Sequence, residues 1–252
     1  MANKNFSKIL ILTSCISPNT FSGRISNFSP KRRAKELVLN CNYMIKKQLF
    51  NKIIIIDGSQ KESLPKKINF KDYLFKLGLK KSKDIEFYDF NPDINTQILI
   101  KEKGKGYSET KMILNVLYNY TYSRKTIFYK ISGRYFIKNI EKVISDVERF
   151  FIEGGEFAIP VSNLFERTNS VMYIFSSNFN NNKFEEICKK VSDNEGIYIE
   201  HLLYSEVFLN SFINSFRFRI LPIYPSNQEG GSCQGKYTLW RQFKKNFIHK
   251  YL

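Results

Sequence analysis

Lys130 and Arg134 sit four residues apart in the run Tyr129-Lys130-Ile131-Ser132-Gly133-Arg134-Tyr135. The residues from Thr126 to Ile131 are β-branched and aromatic, which predicts a buried strand. The glycine that follows lets the backbone turn sharply or approach a ligand closely. Cations at a strand end beside such a turn suit phosphate oxygens. Arg134 is the better of the two, because its planar fork can engage those oxygens in pairs. In a regular strand the two side chains would share a face, being an even number apart, but Gly133 between them leaves this open. By residue type alone the segment reads equally well as a strand, a turn and two solvated charges.

A set of alternating elements must position this turn. Lys8 to Ser14 reads as a first strand. Ser29-Pro30 reads as an N-cap with proline at the first helical position, followed by apolar residues at Leu37, Val38, Cys41, Ile45 and Leu49. Ile53 to Ile56 is a continuous apolar run ending in Asp57-Gly58-Ser59, a turn-forming triplet. A short helix around Tyr73 to Leu77, a strand at 85–88 and a helix with Met112, Ile113, Val116, Leu117 and Tyr120 on one face come next. Strands are expected at 156–161, 171–176 and 218–224. Helices are expected over about 180–191 and 198–212, and a glycine loop at Gly230-Gly231-Ser232 before an aromatic, basic tail. Continuous apolar strands separated by helices favour a parallel sheet covered on both faces. The fold class expected is α/β, with one domain over 1–252 and a mostly parallel central sheet flanked by helices.

The 252 residues carry a net charge of +17, unevenly spread. No Asp or Glu precedes Glu36 or follows Glu229, whereas seven cations lie before the first and five after the second. Such ends suit an anionic partner: a nucleic acid, an anionic membrane face or a phosphorylated ligand. AT-rich coding also accumulates lysine without function. Cys15, Cys41, Cys188 and Cys233 are scattered, which argues against a zinc ribbon or disulfide scaffold and fits a reducing cytoplasm. No run approaches the ~20 apolar residues of a membrane span. P-loop and Gly-x-Ser-x-Gly signatures are absent, and the two histidines lie far apart, without ligand spacing.

The order of Thr13-Ser14, Arg32-Arg33, Asp57-Gly58-Ser59, Gly104-Lys105-Gly106-Tyr107-Ser108-Glu109 and Lys130-Ile131-Ser132-Gly133-Arg134-Tyr135 resembles bacterial glycosyltransferases of GT-A type. It looks like those encoded with capsule, O-antigen and lipooligosaccharide genes. The resemblance covers roughly the first 140 residues, and it implies a nucleotide-sugar-binding front half and an acceptor-binding back half from about 141. GT-A enzymes commonly hold a divalent metal with Asp-x-Asp after a central strand. Here that strand end is Lys-Ile-Ser-Gly-Arg, which puts Mn or Mg dependence in doubt and suggests a cationic turn taking the leaving diphosphate directly.

The resemblance assigns roles. Thr13, Ser14 and Asp57 would line the nucleoside pocket, and Lys130 and Arg134 would take the diphosphate. Tyr107 and Glu109, at a helix start, would contact the donor, although Glu109 would equally serve the helix dipole. Glu200, with His201 beside it, would be the base for the acceptor hydroxyl. The acceptor would be a glycan or lipid-linked glycan, with the tail in peripheral contact with an anionic membrane from the cytoplasmic side. The rival is a nucleic-acid-binding protein using its basic termini. It is the weaker reading, because most of the 23 Phe and 15 Tyr fall in apolar, core-like segments.

Overall fold

The computed structural model describes residues 6–17, 28–59, 69–123, 125–162, 167–168, 170–179, 181–209 and 218–220. Strand β1 (Ser7–Ser14) leads to helix α1 (Pro30–Lys47) and strand β2 (Lys52–Asp57). Helix α2 (Phe70–Lys76), strand β3 (Ile85–Asp89) and helices α3 (Ile94–Lys103) and α4 (Lys105–Asn119) follow. Strand β4 (Thr126–Ser132) and helix α5 (Ile140–Ile152) precede the short strands β5 (Phe157–Ile159), β6 (Val161–Ser162) and β7 (Arg167–Thr168). Strand β8 (Met172–Ser176), helix α6 (Asn181–Lys190), a four-residue helix α7 (Ile199–Leu202), a π-helical turn (Leu203–Leu209) and strand β9 (Phe218–Ile220) complete the described chain.

Among the described residues seven strands form one sheet in the order β3-β2-β1-β4-β8-β5-β9, and β6 pairs with β7 apart from it. The first four run parallel, β8 is antiparallel to both β4 and β5, and β9 is parallel to β5. The sheet is therefore mixed but mostly parallel, as the α/β expectation requires, and strands from both halves of the chain enter it.

The apolar runs are explained by cover on both faces. Ile53, Ile54, Ile55 and Ile56 are all buried, alternately toward the two core clusters. One cluster joins Leu10, Leu12, Ile53 and Ile55 to Leu37 and Cys41 of α1 and to Val143 and Val147 of α5. The other joins Ile9, Ile11, Ile54 and Phe128 to Ile113 and Val116 of α4, Phe184 of α6 and Leu202 of α7. Helix α1 begins where Ser29 accepts from the Arg32 amide, with Pro30 in the first turn, and ends at Gln48 in the left-handed region with Lys46 and Lys47 in its last turn. Among the described residues no helix is long and apolar enough to cross a membrane.

Candidate functional site

The C-terminal ends of β1 and β4 lie side by side at the middle of the sheet. From β1 the chain travels outward through β2 to β3, then returns to β4 on the other side of β1. Such a switch point leaves a crevice beyond the strand ends, where ligands bind in open α/β sheets.

The turn after β4 is shaped by close approach. The Gly133 amide donates to the Thr13 carbonyl at 2.8 Å. A Cβ on Gly133 would stand 2.5 Å from Leu37 Cδ1 and 3.2 Å from that carbonyl, so the glycine is needed for space. Asn40, wholly buried on α1, donates from Nδ2 to the carbonyls of Gly133 at 3.0 Å and Tyr135 at 2.9 Å. Helix α1 thereby fixes the path of the turn. Asn40 is legible in hindsight as a polar residue on the same helical stripe as Leu37 and Cys41.

That path sends Lys130 and Arg134 to opposite sides of the sheet. Arg134 goes to the α1 side, where its Nε donates to Glu36 Oε2 at 2.5 Å. Glu36 Oε1 accepts from Arg32 Nε at 3.2 Å. Arg32 and Arg134 both lie against the Phe28 ring, 4.1 and 4.7 Å from its centroid. Between them Arg33, 7% exposed, donates from Nη1 to the Cys15 carbonyl at 2.7 Å. Burial, and then the charge of Arg134, pushes the Arg33 guanidinium below its ordinary value; an arginine nonetheless stays charged. Burial, then Asp57, pushes the Cys15 thiol up to about 12, so it adds no anion. Three guanidinium groups thus face Glu36 and, within electrostatic range of Arg33, Asp57. The first turn of α1 contains no acidic residue. Arg33 Nε and Arg134 Nη2 are buried and find no acceptor among the described residues. Donors left this way carry a desolvation cost that an anionic ligand would relieve.

Lys130 turns to the α4 side and is wholly buried. Its ammonium meets Glu109 Oε1 at 2.7 Å, Ser132 Oγ at 3.0 Å and the Ser170 carbonyl at 2.5 Å, over the Tyr173 ring at 5.1 Å. Glu109 Oε1 also accepts from Thr13 Oγ1 at 2.7 Å and lies 3.4 Å from Ser132 Oγ. An ammonium has three protons and no more to give. Within the fold its three protons are thus taken by protein acceptors.

Ser14 and Asp57, paired across β1 and β2, tie two loops together. Asp57 Oδ2 accepts from the Ser14 hydroxyl and, at 3.0 Å, from the Ile16 amide, while Oδ1 accepts from the Ser59 amide at 2.8 Å. Tyr107 does not join this group. It is buried in the α4-side core with Lys103 over its ring, because its position on α4 faces the sheet. The amide ends at the start of α4 are not open either. Asp193 Oδ2 accepts from the Gly106 amide at 3.0 Å, and a Cβ at Gly104 or Gly106 would stand 2.8 Å from the Asp193 side chain.

Glu200 lies on α7 and accepts from Ser170 Oγ at 2.6 Å, which connects it to Lys130 through one residue. His201, its neighbour on a helix, is exposed against Tyr198, and 100° of helical rotation separates the two side chains. The structure thus gathers Thr13, Glu109, Lys130 and Glu200 on one side and Ser14, Asp57 and Arg134 on the other. Arg33, Phe28, Asn40 and Ser170 complete the two groups and are absent from the expected site residues. The Gly230-Gly231-Ser232 loop and the basic tail lie outside the described residues.

Neither a family model nor a curated protein sequence matches the chain. Solved structures with a similar chain path include one from Bacillus anthracis described as a glucose-1-phosphate thymidylyltransferase (11% identity, 98% of this chain and 96% of that chain covered, TM-score 0.48). Others are a cytidylyltransferase from Leptospira borgpetersenii (13% identity, 98% and 89% covered, TM-score 0.42) and mouse xyloside xylosyltransferase 1 (9% identity, 86% and 84% covered, TM-score 0.43). At such identities and scores these proteins say nothing about the chemistry of this chain.

Proposed function

We propose that the protein is a transferase that takes a sugar from a nucleotide-activated donor, with the diphosphate held by Arg33 and Arg134. The observation that carries this reading is the pair of buried guanidinium N–H groups at the switch-point crevice, beside the positive end of α1, that have no acceptor among the described residues. Each guanidinium is already oriented by one protein contact, to Cys15 or Glu36. Pre-oriented donors cost little reorganisation when charge develops on a leaving group. A carboxylate offers about four acceptor sites. Asp57 uses three of them on the protein, which leaves capacity for a ribose or base donor in the pocket lined by Thr13 and Ser14.

A divalent cation fits this site poorly. Glu109 answers Lys130 and Thr13, Asp57 takes three donors, and no group of three or more His, Cys, Asp or Glu side chains is placed to hold a metal among the described residues. The acceptor we favour is a growing bacterial surface glycan, supported by the resemblance of the first 140 residues. Of the basic ends on which membrane or nucleic-acid contact would depend, the tail after Glu229, Lys4 and Arg24 lie outside the described residues, whereas Lys8, Lys31, Arg32, Arg33 and Lys35 lie within them.

The test is thermal stability against UDP-, GDP- and dTDP-hexoses, the corresponding nucleoside triphosphates and an oligonucleotide, with Mn²⁺ and with EDTA. A ligand at ~100 times its dissociation constant adds about 2.7 kcal/mol to the folded state, which raises the melting point by several degrees. Stabilisation by one nucleotide sugar that survives EDTA supports the reading. Stabilisation by triphosphates alone would indicate nucleotidyl transfer instead, and a response to the oligonucleotide alone would sink both.

A further inference from the structure

We propose that Lys130 and Ser170 are positioning residues that hold Glu200 as the base for the acceptor hydroxyl, so that one buried ammonium joins the donor and acceptor sides of the crevice. This rests on the glycosyl-transfer reading above and assigns work to residues which that reading leaves unused.

The three acceptors of Lys130 belong to three parts of the fold: Glu109 on α4, Ser132 at the end of β4, and the Ser170 carbonyl on the turn entering β8. Fixing that carbonyl fixes the backbone of residue 170, whose hydroxyl donates to Glu200 Oε1. Helix α7 is four residues long and runs straight into a π-helical turn, a rare geometry that is mostly confined to a single turn. Ser170 ties Glu200 on this short element to the sheet side. Beneath the ammonium, Tyr173 pairs with Lys130 across β4 and β8. Its wholly buried hydroxyl finds no acceptor among the described residues. Burial, then Glu109 and Glu200, pushes this phenol well above its ordinary value, so it stays protonated beside both carboxylates. The ammonium and phenol together make an interior in which two carboxylates can be held in fixed places.

The step balances as follows. The acceptor hydroxyl gives its proton to Glu200, and its oxygen forms a bond to the anomeric carbon of the donor. The bond from that carbon to the β-phosphate oxygen breaks, and its electron pair leaves on the nucleoside diphosphate, whose charge the arginine pair takes.

The experiment uses the full chain, the nucleotide sugar that stabilises it most in the panel above, and water as the acceptor, reading nucleoside diphosphate release. Ser170→Ala is expected to bind the donor like the wild type and to lower kcat about tenfold, as loss of a hydrogen bond to a charged group implies. Ser170→Thr keeps the hydroxyl and is expected to restore most of the rate. The double variant Ser170→Ala/Glu200→Gln is expected to be no slower than Glu200→Gln alone, because residues acting as one unit do not add. Wild-type kcat in Ser170→Ala, or losses that multiply in the double variant, would overturn the proposal while leaving donor binding in place. A wild-type chain that binds no nucleotide sugar removes the underlying reading, and this inference with it.

Discussion

Lys130 and Arg134 come from one short stretch and carry the same charge, yet they serve different ends. Lys130 is sealed, with three protons on three protein acceptors, one of them a carboxylate at 2.7 Å. Arg134 shares Glu36 with Arg32, stands beside Arg33, and keeps a buried N–H without an acceptor among the described residues. The first arrangement is complete without a ligand, and under the proposed function a diphosphate would complete the second. A cation at a strand end is thus no sign of a phosphate site until its acceptors have been counted. A lysine has three protons and an arginine five in a fixed fork.

Substitutions on the two sides should separate these roles. The largest effect is expected at Lys130. Lys130→Met leaves Glu109 without its counter-charge and should cost about 3–5 kcal/mol of stability in denaturant titration. Adding Glu109→Leu should recover part of the loss, and nucleotide affinity of the folded fraction should change little. A Lys130→Met chain that is fully stable would break the comparison from the structural side. Next comes Arg33→Ala/Arg134→Ala, expected to weaken nucleoside diphosphate binding roughly 10- to 100-fold, as loss of charge-assisted hydrogen bonds implies. Its melting point should fall less than that of Lys130→Met, since Glu36 keeps Arg32.

Gly133→Ala acts between the two sides. Its Cβ would press on Leu37 Cδ1 and the Thr13 carbonyl, so a loss of roughly 1–3 kcal/mol is expected from overpacking, with weaker nucleotide binding as the Arg134 turn shifts. Unchanged stability and affinity would show that Leu37 gives way freely.

The smallest effect concerns Asp193 at the start of α4. Burial raises its carboxyl above the ordinary 3.8, against amide hydrogen bonds from Gly106 and Lys105 that pull it down. The folded form therefore holds this proton more tightly than the unfolded chain does. The group favours folding most at low pH and withdraws stability as pH rises through the range just above 3.8. Asp193→Asn keeps an acceptor for the Gly106 amide and removes the charge. At neutral pH it should be as stable as the wild type or more so, by under about 1 kcal/mol, with a flatter stability profile above about pH 4. A marked loss at neutral pH would mean that the negative charge at the helix end outweighs its burial.

Much of the frame is legible in the sequence, because it depends on local pattern. Ile53 to Ile56 reads as a strand covered on both faces and is one, and Ser29-Pro30 opens α1 as expected. Helix α5 carries the same kind of signal in Ile140, Val143, Ile144, Val147, Phe150 and Phe151, and α3 carries almost none, with no buried residue; neither is among the expected elements. The antiparallel insertion of β8 between β4 and β5 depends on pairing across the sheet, which no local pattern reports. The site follows the same rule. Thr13, Ser14, Asp57, Glu109, Lys130 and Arg134 all fall at the C-terminal edge of β1, β2 and β4 or on the helix covering it. Their partners could not be read from sequence. The side taken by Arg134 depends on Gly133 closing against Leu37 and Thr13, and the occupation of Lys130 depends on Ser170, forty residues away.

The measurement closest to the central claim is calorimetric titration of inorganic pyrophosphate and of UDP, GDP and dTDP in EDTA, into the wild type and Arg33→Ala/Arg134→Ala. The account predicts that the wild type binds at least one of these diphosphates without metal and that the double variant loses that binding. No binding in EDTA, or equal binding by the double variant, would contradict it.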